Sequence, residues 1–146
     1  MTCRFALLIA AFTALLGATS AFTQSADASG TWLTQAGDAR VKVSKCGAGI
    51  CGVIVWLREP HDTATGQPAT DSKNPIPALA KRPLIGLPLF SGMQATGANK
   101  WSGQIYNADD GSTYASNIAL SGADTLRVEG CLGALCGGET WTRAGR

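Results

Sequence analysis

The sequence predicts an all-β protein of one domain, with about eight short antiparallel strands spaced as in a small barrel or sandwich. Three observations carry this reading. Gly makes up 18 of the 146 residues and charged residues only 15%, a composition that argues against helical bundles and coiled coils. Short runs rich in Val, Ile and Thr are separated by turn residues at regular intervals. Beyond an N-terminal export signal, the Cys residues fall into two pairs of the same Cys-x4-Cys spacing, each bracketing a hairpin tip.

The export signal comes first. Arg4 precedes an apolar stretch from Phe5 to Leu16, broken only by Thr13, and small residues follow at Thr19, Ser20 and Ala21. This is the layout of a cleaved secretory signal, residues 1–21. It is shorter than the roughly 20 apolar residues of a membrane span, so no span is expected once it is removed. Residues 22–29 read as a short flexible linker and 30–146 as a single β-barrel domain. The protein is expected in the periplasm or secreted.

The strands follow in order. Gly30–Thr34 is a first strand, closed by a turn at Gln35–Asp38. Arg40–Cys46 and Cys51–Leu57 make a hairpin. Arg58–Pro83 differs from the rest: it holds five of the six Pro and lacks period-2 alternation. Structureless loops of this length are uncommon in compact domains, so it is either a lid over a site or an ordered excursion held by its own contacts. Leu84–Met93 is a weak strand. Lys100–Tyr106 and Ser112–Leu120 flank Asn107–Gly111, whose Asp-Gly step signals a turn. Thr125–Cys131 and Cys136–Arg143 form the last hairpin.

Cys46, Cys51, Cys131 and Cys136 remain after the signal, and an even count in an exported chain reads as disulfides. A four-Cys zinc site is the competitor, but zinc ligand pairs usually sit closer in sequence. Register selects the pairing. Placing Cys46 opposite Cys51 sets Val43 against Ile54 and Val41 against Trp56. Placing Cys131 opposite Cys136 sets Val128 against Glu139 and Leu126 against Trp141. In both hairpins the Cys pair then lies on the more polar face and Trp on the apolar one, which a one-residue slip would reverse. The bridges are therefore Cys46–Cys51 and Cys131–Cys136.

Charge and chemistry narrow the function. The net charge is +2, too small and too dispersed for a nucleic-acid binder. One His and two Met preclude a His-rich metal site, and neither a metal nor a cofactor is expected. No Gly-x-Ser-x-Gly elbow is present, paired Cys leave no thiol nucleophile, and no catalytic residue stands out. His61 beside Asp62 is a loop His and not a dyad. Asn107, Asp109 and Asp110 read as turn residues and not as a calcium loop. Enzymatic acid–base work would need a carboxylate pair such as Asp71 and Glu139 to converge.

The candidate binding residues are Trp56, Trp141, Glu139, Tyr106, Asp71 and Arg82. Trp56 and Trp141 share the expected interior face, as core or as pocket wall. Glu139 points to the same face, where a carboxylate is costly unless paired. It either reaches water and an Arg at the strand end or anchors a ligand. Asp71, Asn74 and Arg82 stand among the prolines, where Arg82 either clamps an anionic ligand or ties the loop to Asp71.

Gly30-x-Trp32 on the first strand and Arg143 on the last resemble the calycin pattern, in which that Trp packs under the Arg as the barrel closes. A fuller set of motifs runs along the chain: Gly30-x-Trp32-Leu33-Thr34, Cys46-Gly47-x-x-x-Cys51-Gly52-x-Ile54-Val55-Trp56-Leu57, Asp71-x-x-Asn74-Pro75-x-Pro77, Arg82-Pro83-Leu84-x-Gly86, Trp101-x-Gly103-x-Ile105-Tyr106-Asn107, Asp110-Gly111-x-x-Tyr114, and Thr140-Trp141-Thr142-Arg143. This set resembles the bacterial exported family called domain of unknown function 2147, with Ala80 standing where Arg is expected. The resemblance implies a lipocalin-like, eight-stranded antiparallel barrel in the cell envelope, with one long Pro-rich loop and two disulfide-stapled hairpins. It implies no activity. The leading expectation is a barrel that binds a small apolar or amphipathic ligand, with Arg58–Pro83 capping its mouth. The alternative is a solid-cored structural module that meets another envelope protein through that segment.

Overall fold

A computed structural model describes residues 27–145; the expected signal, residues 1–21, lies outside the described residues. The strands are β1 (Gly30–Leu33), β2 (Ala39–Cys46), β3 (Gly49–Leu57), β4 (Pro88–Gly97), β5 (Lys100–Asn107), β6 (Ser112–Leu120), β7 (Thr125–Leu132) and β8 (Leu135–Arg143). One short helix, α1 (Pro77–Ala80), lies in the Pro-rich segment. Each strand pairs antiparallel with its sequence neighbour, and β8 returns to β1, so the sheet closes into an up-and-down barrel. Both disulfides form, Cys46–Cys51 and Cys131–Cys136.

The last hairpin has the expected register: Cys131 faces Cys136, Val128 faces Glu139, and Leu126 faces Trp141. The first does not. Gly47 and Ala48 form a two-residue turn, with Gly47 at φ +58°, the left-handed conformation that such hairpin turns require. The pairing is therefore drawn two residues tighter, with Cys46 opposite Gly49 and Ser44 opposite Cys51. A two-residue shift preserves the faces. A bulge at Val55 then does not: Val41 faces Ile54, but Arg40 already faces Trp56. The extra residue turns Trp56 outward, where Arg40 stacks on its ring at 4.7 Å.

β4 begins at Pro88, four residues later than expected, and runs on to Gly97. Before it, Leu84–Leu87 is a tight turn that brackets one residue of β3: Gly86 N–H donates to the Ile54 carbonyl and Ile54 N–H to that of Leu87. The β3–β4 ladder is irregular, and its buried residues Leu87, Phe90 and Met93 come at every third position. That spacing hid the strand. Phe90 lies over Gly52, where a Cβ would clash with its ring.

The core fills one end of the barrel. Trp32, Val41, Val43, Leu120, Leu126 and Trp141 belong to a single buried cluster. Arg143 closes that end. It pairs with Trp32 across the β1–β8 seam, lies 4.2 Å from the Trp32 ring centre, and donates to the carbonyls of Asp27, Ser29 and Ala123. Trp32 donates its indole N–H to Ala28 at 2.8 Å. Residues 27–29, the described part of the expected linker, are thus held against the barrel, with Ala28 buried.

Candidate functional site

The opposite end is hollow. The turns β1–β2, β5–β6 and β7–β8, together with the end of β3, ring a cavity of about 900 Å³. The interior is thus open at this end and packed at the other. The cause lies in the side-chain rows across β5–β8. Residues in register across neighbouring strands share a face, and four inward rows can be followed. At the rim stand Ile105, Tyr114, Leu132 and Leu135; next come Gly103, Ser116, Gly130 and Gly137; then Trp101, Ile118, Val128 and Glu139; and at the base Leu120, Leu126 and Trp141. The second row carries one hydroxymethyl group and three glycines. A Cβ on Gly137 would meet nothing within 4 Å, and one on Gly130 only the Tyr114 ring and its Cβ. The wall is recessed at Gly130 and Gly137 because side chains are missing there, whereas Met93 covers Gly103.

Two of the expected binding residues line this cavity with their side chains on the inner face, Glu139 and Trp141. The Trp141 indole N–H donates to Glu139 Oε1, so the carboxylate sits at the cavity wall, fixed by its buried neighbour. Leu132 and Leu135 form an apolar lip, 70% and 81% exposed. Tyr114 anchors its hydroxyl on Asp110 at 2.6 Å. That bond, with the Ser112 N–H, holds the Asp110 carboxyl below its usual range.

The other expected residues gather elsewhere. Trp56 is on the outer surface, turned there by the Val55 bulge, and Leu57 takes the inward place. Tyr106 borders the cavity, but alternation from the inward Ile105 sends its ring outward, where its hydroxyl donates to Asp71 Oδ1 at 2.6 Å. Asp71 is fully buried. Its Oδ2 accepts from Asn74 and from Arg82 Nε, each at 2.9 Å. Asp71 and Arg82 do not line the cavity; they partner each other, because a buried carboxylate must be paired. Asp71 and Glu139 thus do not converge on one pocket.

The Pro-rich segment is an ordered excursion and not a cap. Antiparallel bridges join His61 to Pro68 and Thr70 to Pro83, and Asp62 caps the N–H groups of Ala64 and Thr65 instead of meeting His61. Only Arg58 and Glu59 of the segment line the cavity. Its middle is docked on β5 through Asp71 and against the β5–β6 turn, where Gly111 touches the Lys73 carbonyl so closely that no Cβ fits. Asn107 and Asp110 are consumed by the turn itself, and no cluster suited to a metal ion occurs among the described residues.

Gly130, Gly137, Tyr114 and the leucine lip are the cavity residues that sequence reasoning missed. The last-hairpin register already placed Gly130 against Gly137, and that pair was the available signal.

Comparison with known proteins agrees with this fold. A family profile described as "Uncharacterized protein conserved in bacteria (DUF2147)" matches residues 30–143. A solved structure, protein HP1028 from the human pathogen Helicobacter pylori, described as belonging to the lipocalin family, is similar with a TM-score of 0.67 and 21% identity, over 82% of this chain and 84% of that one. No curated protein matches the chain at a significant level.

Proposed function

The chain belongs to this DUF2147 family of bacterial proteins, and we propose that it is an exported envelope protein that binds a small apolar or amphipathic molecule in the open end of its barrel. One observation carries the reading: a cavity of about 900 Å³, whose wall is recessed at Gly130 and Gly137, runs between the leucine lip and the Trp141–Glu139 pair. Ligand sites are typically concave and mostly apolar with a few placed polar groups, and this cavity has that make-up. Two disulfides suit an oxidising compartment. No helix among the described residues is long and apolar enough to cross a membrane.

The test is native mass spectrometry of the mature, unreduced protein from its own cell envelope, beside a Gly137→Leu variant. Position 137 has room for a side chain, so the variant folds while its cavity is filled. The expected result is a small molecule that travels with the natural protein and not with the variant. If no small molecule travels with the natural protein, and Trp fluorescence is unmoved by alkyl acids, alcohols and amines, the reading fails.

A second reading rests on exposed Ile76, Leu79 and Ile85 in and beside the excursion, which suit contact with an envelope protein. Replacing residues 60–82 by a short Gly/Ser linker would abolish that contact; a partner retained by the shortened chain would refute it.

A further inference from the structure

Resting on the binding reading above, we propose that the occupant is an amphipathic cation, an alkylammonium in type, whose positive head pairs with Glu139 beside Trp141 while its tail lies along Gly130 and Gly137 towards Leu132 and Leu135.

Charge is the first argument. Asp38, Glu59, Asp109 and Glu139 line the cavity against a single cation, Arg58, whose guanidinium already donates to the Ala36 carbonyl at 2.7 Å. The chain as a whole carries +2, so the cavity is acidic within a weakly basic protein. Clefts of one sign concentrate ligands of the other.

Glu139 is the second. Oε1 is taken by the Trp141 indole, but no Lys or Arg among the described residues pairs with the carboxylate. A ligand that covers this group strips it of water. A hydrocarbon would leave it uncompensated and a carboxylate would repel it; an ammonium replaces the lost hydration with a charge-assisted hydrogen bond. Trp141 and Tyr114 on the same wall add the aromatic surface that cations favour.

The test compares decylammonium, decanoate and decanol by Trp fluorescence titration at neutral pH, with natural protein and with Glu139→Gln. The Gln carbonyl still accepts the Trp141 N–H, so the substitution removes charge and keeps the local bond. Natural protein is expected to prefer decylammonium over decanoate by about tenfold or more. In Glu139→Gln that preference collapses while decanol binds as before, which shows the cavity intact. Equal or tighter binding of decanoate overturns the proposal and leaves the binding barrel standing. A preference that survives in Glu139→Gln overturns the role of Glu139. Failure of all three ligands, decanol included, removes the binding reading itself.

Discussion

The Tyr106 hydroxyl meets Asp71 at 2.6 Å across 35 residues of chain, and that contact fastens the Pro-rich excursion to the barrel wall. The carboxylate is fully buried and gathers three side chains, Tyr106, Asn74 and Arg82. Tyr106→Phe removes one charge-assisted bond, a loss of about 1–2 kcal/mol. Asp71→Asn removes the anion that organises all three, about 1–3 kcal/mol, below the value for a fully buried pair because Arg82 is 34% exposed and remains solvated. Urea unfolding measures both. A double-mutant cycle is expected to show strong coupling; additive losses would refute the contact's role.

Alkaline pH releases the same anchor. Burial, and then the bond to Asp71, pushes the Tyr106 phenol above its ordinary value. The bond to Asp110 does the same for Tyr114. For a group whose folded value is raised, the stabilisation is fully present below the unfolded value, about pH 10, and is lost as pH rises through the folded one. These are the chain's only two tyrosines. Absorbance at 295 nm is therefore expected to show no tyrosine ionising at its ordinary value while the chain is folded. A phenol that titrates at or below about pH 10 would contradict this.

Gly30 exists for Arg143. Its φ is +141°, and a Cβ there would stand 2.5 Å from Arg143 Nη1. Gly30→Ala is expected to displace the guanidinium from the Trp32 face and lower stability by about 2 kcal/mol or more. Thermal unfolding reads the loss. An unchanged midpoint would mean that the stacked Arg contributes little.

Ser116→Ala is expected to leave the ligand-free protein equally stable or up to about 1 kcal/mol more stable, since it removes a buried hydroxyl without a partner. Loss of stability in urea would show that the hydroxyl is satisfied after all.

Much of this architecture is legible in the sequence. The Cys131–Cys136 hairpin announced its register because turn, bridge and alternation agree there. Trp32 and Arg143 announced the closure. Glu139 and Trp141 were placed on the inner face by that same register. Trp56 was misplaced because the Val55 bulge has no composition of its own; Val and Trp suit either face of a strand. Asp71 and Arg82 looked like ligand groups because their partner Tyr106 lies far along the chain, and only folding brings the burial that demands it. The glycine row needed three ladders aligned at once, and the sequence offers strong pairing signals for two of them.

The barrel closes over a short seam. β1 and β8 share two paired positions, Trp32 with Arg143 and Leu33 with Thr142, whereas β2 and β3 share eight. Apart from the β3–β4 ladder, which spans the Pro-rich excursion, the other ladders join strands linked by short turns and form with little loop entropy, while this one must gather the two ends of the barrel. The seam is the natural place for the wall to part. Cut off the last few residues and the same strands become an open sheet with two unpaired edges, the form in which β-proteins recruit further copies of themselves. Arg143, paired with Trp32 at that seam, helps to keep both edges covered.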